Sequence, residues 1–201
     1  PLAMKSAAWM MANDVTHVLL NNGLAHNAAG AVAAKLAGLP LYPYFQGVTR
    51  QSLLQDTMVP WATQTFAVSD WTAEANHAAG IDKETCLTLY PGVDSLPDEA
   101  LCVAPESGRV RVGMVGMFTP WKGQLAFLEA FGRAYAEYQG MEAWLFGGRL
   151  PGAEAYFESV QRRIAELGLQ DAVRIVDDRR SPDAIYPDVH FTVHSSIEPE
   201  P

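Results

Sequence analysis

The 201-residue chain carries 14 Lys and Arg against 23 Asp and Glu, a formal net charge of −9, with 49% hydrophobic and 18% charged residues. That composition belongs to a folded globular protein rather than a disordered or fibrous one. The acidic balance argues against a general nucleic-acid binder, which needs a basic surface to neutralise phosphates, and disfavours broad adhesion to anionic lipid, leaving only a local basic pocket open.

Taken in chain order, apolar runs of strand length alternate with helix-length segments, the pattern of βαβ units around parallel sheets. VTHVLL (Val15 to Leu20), LYPYF (Leu41 to Phe45), TFAVS (Thr65 to Ser69) and CLTLY (Cys86 to Tyr90) read as strands. Between them, HNAAGAVAAKLAG closes on Gly38, and DWTAEANHAAG follows a capping Ser69 and closes on Gly80; both read as crossover helices. TRQSLLQDTMVPWA reads as a short helix and a loop ended by Pro60.

PGVDSLPDEALCVAPESG breaks this periodicity with prolines, glycines and acidic residues, and reads as a linker. The alternation restarts with RVRVGMVGM and a helix from about Gln124 to Tyr138, with Leu125, Leu128, Phe131 and Tyr135 on one face. AWLFGG, a helix from near Pro151 that faces inward through Phe157, Val160, Ile164 and Leu167, VRIVDD, a short helix from Pro182 to Tyr186 and DVHFTVHSS follow. The fold class is therefore α/β, with two Rossmann-like βαβ domains. Their boundaries are 1–94, a linker over 95–109, and 110–201.

Cys86 and Cys102 form no disulfide framework or metal spacing and read as structural thiols of a reducing compartment. No apolar run approaches the roughly 20 residues that span a bilayer, and PLAMKSAAWMM lacks the form of a secretory signal. A cytoplasmic protein is expected. It begins at Pro1 rather than Met, and the alternation stops mid-domain, so a piece of a longer protein is expected.

Ligands of open α/β sheets bind at the carboxyl ends of strands, so the loops there are the places to look for a site. In GMFTPWKGQ, Gly116 and Gly123 permit close backbone approach, and Lys122 brings a cation to a helix N-terminus. This suits a phosphate, although a surface lysine beside a turn fits too, and no P-loop is present. FGGRLPG follows a strand with Gly147 and Gly148, either as part of a site or as an ordinary tight turn. FQGVTR offers Gln46 to hydrogen-bond a ligand and Arg50 to pair an anion, which also fit ordinary loop polars. The last stretch, SSIEPEP, is either a solvated tail or brings Glu198 and Glu200, two apart after a strand, toward a cleft at the sheet's carboxyl edge. His17, His190 and His194 fall in predicted strands and His26 and His77 on predicted helices, with no triad or HExxH among them.

In their order along nearly the whole chain, these segments resemble the GT-B glycosyltransferases of family four, the retaining, nucleotide-sugar-dependent group. DVTHVLL with AAKLAGLPLYPYFQG looks like the acceptor-side strand-helix-strand, and TFAVSDWTAEANHAAGI with LYPGVD like the serine-led helix and hinge entry. VGMFTPWKGQLAFLEAF is similar to the strand, basic loop and helix of the donor side, LFGG to the Gly-rich turn, and VHSSIEPEP to the lead into a signature of two glutamates separated by seven residues.

The resemblance implies two GT-B Rossmann-like domains, both incomplete in this chain, with a cleft between them where a sugar passes from a UDP-, GDP- or ADP-sugar to a carbohydrate or lipid-linked acceptor. It implies that Lys122 and Glu200 carry the chemistry. Lys122 would offset charge on the leaving diphosphate, so no metal or cofactor is expected. Glu200, the first signature glutamate, would contact the sugar, and the second would lie beyond Pro201. Gly116, Gly123, Gly147, Gly148, Ser195, Ser196 and Glu198 would line the donor site, with Gln46 and Gly47 on the acceptor side.

Peripheral membrane contact is compatible with this picture, and the piece alone is expected to be inactive. Two positions depart from the family. Met117 stands where an arginine usually precedes the lysine by five residues, and Gln46 replaces a histidine and cannot titrate. A non-catalytic sugar-nucleotide- or partner-binding module and a GT-B sugar-nucleotide epimerase are the alternatives.

Overall fold

In a computed structural model, residues 1–48, 52–92, 108–176 and 181–197 are described. The chain divides into two compact units, residues 1–93 and 94–200. In the first, α1 (Leu2–Ala12) precedes β1 (Val18–Asn21), α2 (Gly23–His26), α3 (Ala28–Ala37), β2 (Leu41–Phe45), α4 (Leu53–Met58), β3 (Thr65–Ala67), α5 (Asp70–Ala78) and β4 (Cys86–Thr88). The four strands form a parallel sheet in the order β1-β2-β3-β4, each crossover stepping the same way.

The Ala-rich sequence of α3 explains its closeness to that sheet. Ala31, Ala33 and Ala34 are fully buried, and Ala31 and Ala34 pack with Val18, Leu20, Leu24 and Leu41. Gly38 ends the helix in the left-handed region, while the Leu39 N–H returns to Ala34 O at 2.9 Å, satisfying a carbonyl the helix leaves open. Ser69 starts α5 by accepting the Thr72 N–H at 3.1 Å.

The second unit contains β5 (Val110–Val115), a 3₁₀ turn at Pro120–Lys122, α6 (Gln124–Glu137), β6 (Met141–Phe146), α7 (Glu154–Glu166), β7 (Val173–Val176), α8 (Pro182–Ile185) and β8 (Phe191–Thr192). Its parallel sheet has the order β7-β6-β5-β8, so the chain winds outward from β5 in one direction and then returns to its other side. Six residue pairs, Val110↔Met141 through Val115↔Phe146, join β5 to β6. The buried face of α6 is Gln124, Phe127, Leu128 and Phe131, spaced i, i+3, i+4, i+7. Each of its three apolar members contributes about 2 kcal/mol by leaving water.

Several elements differ from the expectation. α1 was not foreseen, because it is apolar nearly all round and buries only Ala7. β1 begins at Val18, which puts His17 outside the strand. Pro60 does not end the helical segment but lies within a 3₁₀ turn over Val59–Trp61, where its missing N–H costs nothing. On α6 the inward face turns toward Phe127, leaving Leu125 and Tyr135 half-buried. β8 is only two residues long, so His190 precedes it and His194 follows it. Among the described residues, no helix is long and apolar enough to cross a membrane.

Candidate functional site

The winding reverses between β5 and β8, and at such a point neighbouring loops leave the sheet in opposite directions and open a crevice at the strands' carboxyl ends. The loops after β5 and β8 meet there. Ser195 Oγ donates to Gly123 O at 3.1 Å and Lys122 O at 3.3 Å, and the Ile197 N–H bonds Trp121 O at 2.9 Å. A Cβ on Gly123 would stand 2.0 Å from the Ser195 carbonyl oxygen, and its φ is +73°, so only glycine fits.

The turn after β6 closes on the same loop. The Gly116 N–H bonds Phe146 O at 2.9 Å and the Phe118 N–H bonds Gly148 O at 3.2 Å, carrying the β5–β6 pairing past the strand ends. A Cβ on Gly147 would fall 2.1 Å from Gly116 O. Phe118 is fully buried, edge-on to Phe157 at 4.9 Å between centroids, and anchors the loop in the core. Its neighbour Met117 is 40% exposed.

Lys122 is the last residue of the 3₁₀ turn and immediately precedes the N-cap Gly123 of α6. Its Nζ lies 4.3 Å from the centroid of the Trp121 ring. α6 has no side-chain cap and no acidic residue in its first turn, unlike α5, which has both Ser69 and Asp70. Among the described residues, this fourteen-residue helix starts with no side-chain cap and no acidic residue in its first turn, and with a lysine beside its leading amides it has the form of an end that can take an anion.

The structure thus brings Gly116, Lys122, Gly123, Gly147, Gly148 and Ser195 together at one sheet edge. Ser196 is turned to His194, with 3.2 Å between Oγ and Nε2. Glu198, Glu200, Arg50 and Cys102 lie outside the described residues. Cys86 is buried, and burial pushes its thiol up, as befits an inert structural thiol. Among the described residues, no group of three His, Cys, Asp or Glu is placed to hold a metal ion.

In the first unit, Gln46 and Gly47 line a cavity of about 210 Å³ with Asn22, His26, Phe45 and Val48. Gln46 Nε2 donates to Asn21 Oδ1, and buried Asn76 donates to Gly47 O at 3.1 Å, fixing the loop after β2. Sequence reasoning gave no role to His26 or Asn76 here. It also missed Gln124, 1% exposed, whose Nε2 donates to Met117 O at 2.9 Å and whose Oε1 accepts from Tyr156 at 3.1 Å.

Two parallel four-stranded sheets with helical crossovers, the second reversing its winding at a glycine-lined crevice, place the chain in the GT-B fold class. HepE of Anabaena, in complex with UDP and glucose, is similar with a TM-score of 0.79 at 22% identity, over 97% of this chain and 57% of that one. A glycosyltransferase from Rickettsia africae ESF-5 gives 0.74 at 20% identity, over 98% and 56%. The lipopolysaccharide outer core galactosyltransferase WaaB gives 0.67 at 14% identity, over 96% and 54%. The chain therefore spans little more than half the length of these neighbours. No family model and no curated protein matches it.

Proposed function

We propose that this chain is part of a glycosyltransferase that moves a sugar, with retention, from a nucleotide-sugar to a carbohydrate or lipid-linked acceptor. The observation that carries the reading is Lys122 beside the uncapped, acid-free N-terminus of α6, at the reversal point of the sheet. As the glycosidic bond breaks, negative charge grows on the nucleotide diphosphate. A fixed cation and oriented amides lower the energy of that state without reorganising water. Gly116, Gly123, Gly147 and Gly148 let the backbone come close enough to do so, and Ser195 holds the Lys122–Gly123 backbone. Retention, the contact of Glu200 with the sugar and the acceptor-side role of Gln46 and Gly47 rest on the sequence resemblance.

UDP is the probe of choice, because the Anabaena neighbour holds it. Isothermal titration of the protein with UDP is expected to give saturable binding, weakened tenfold or more, about 1.4 kcal/mol, by Lys122→Ala. Unchanged affinity in that variant would overturn the placement of the diphosphate. Met117, exposed where the family carries arginine, favours a second reading as a sugar-nucleotide-binding module without transfer. Release of UDP from UDP-glucose on addition of saccharide acceptors separates the two. UDP release from UDP-glucose without acceptor, with a new sugar epimer among the products, would instead mark an epimerase.

A further inference from the structure

We infer that Gln124 and Tyr156 form a positioning pair that sets the loop carrying Lys122 for a diphosphate, an inference that rests on the donor-site reading above. Gln124 is the first residue of α6 and faces the core, where apolar side chains are the usual occupants. A buried amide is costly unless its hydrogen bonds are made. Here Nε2 donates to Met117 O at 2.9 Å and Gly116 O at 3.4 Å, and Oε1 accepts the Tyr156 hydroxyl at 3.1 Å. Tyr156 stands on α7, so one side chain links the β5 loop, α6 and α7. Burial pushes the Tyr156 phenol up, which keeps its proton in place for that bond.

The link reaches the lysine through Gly116. Its Cα lies against the Lys122 stem, where an added Cβ would meet Lys122 Cδ at 3.3 Å. In a planar trans peptide the C=O and N–H point opposite ways. Drawing the Gly116 and Met117 carbonyls toward α6 therefore turns the following N–H groups the other way, and that of Phe118 ends on Gly148 O. With methionine rather than arginine at 117, the direction of the loop backbone and of Lys122 decides how a diphosphate is met. Gln124 does not touch the ligand in this account. It acts through Gly116 and Met117.

The test compares UDP with UMP, which lacks the second phosphate, in titrations of the protein and of Gln124→Met and Tyr156→Phe. Methionine keeps the length and apolar packing of glutamine but donates nothing. Gln124→Met, which loses all three bonds of the amide, is expected to weaken UDP about tenfold and UMP much less, and Tyr156→Phe, which loses only the hydroxyl's bond, to weaken UDP about threefold in the same sense. Equal weakening of UDP and UMP would mark a general structural role and overturn the inference, as would no change. If Gln124→Met fails to fold by circular dichroism, Tyr156→Phe decides by the same ratio. UDP binding that depends on Lys122 but not on Gln124 or Tyr156 defeats this inference alone. Failure of the parent protein to bind UDP defeats both it and the donor-site reading.

Discussion

Gly123 bears the tightest constraint at the site. It holds the left-handed φ that starts α6, and its missing Cβ is the space occupied by the Ser195 carbonyl. Gly123→Ala is expected to cost about 2 kcal/mol or more, combining the left-handed penalty with displacement of the Ser195 backbone in the loop after β8. A lower melting temperature together with lost UDP affinity checks it; a stable variant with normal affinity would show that the two loops need not touch. At this scale the position of the Lys-Gly pair in a turn between a strand and a helix was legible in the sequence, since glycine after an apolar run marks a turn. Gln124 was not. Its partner Tyr156 is 32 residues away, and no local pattern distinguishes a buried, bonded amide from a solvated one.

α5 and α6 make opposite use of their N-termini. α5 spends Ser69 and Asp70 on its own stability, whereas α6 leaves that end without either. Ala126→Glu, an exposed change in the first turn of α6, is therefore expected to stabilise the fold by about 0.5 kcal/mol through the helix dipole while repelling a diphosphate and weakening UDP several-fold. A chemical melt and a titration on the same sample check the trade. On α5, hydrogen bonds from Thr88 and Tyr90 hold the Asp70 carboxyl below its usual range. A carboxylate depressed in this way adds stability that is present above its unfolded value near pH 4 and is lost as pH falls through the folded one. Tyr90→Phe should start the acid unfolding limb at a higher pH, read by circular dichroism. Most strands were legible as apolar runs between turn residues. DVHFTVHSS was not read correctly, because only Phe191 and Thr192 find a partner on β5 before the chain turns to meet Trp121.

Over the whole molecule, alternation of strand and helix sufficed for the parallel α/β class, since that pattern has few packed solutions. The strand order was not readable from alternation, which is the same whether a sheet grows in one direction or turns back. The two sheets differ in strand order, and the difference bears on how each is assembled. β1 to β4 add one after another, every strand joining the last one made. β8 must instead cross back to β5, bringing His190 to Arg111 over 79 residues and paying a long loop closure for two pairs of strand residues. The wall containing Ser195 thus follows a strand held to β5 by only two residue pairs, each closing a long loop. A nucleotide bound there would favour the pairing of β8 with β5 over its opening, adding its binding free energy to that short pairing.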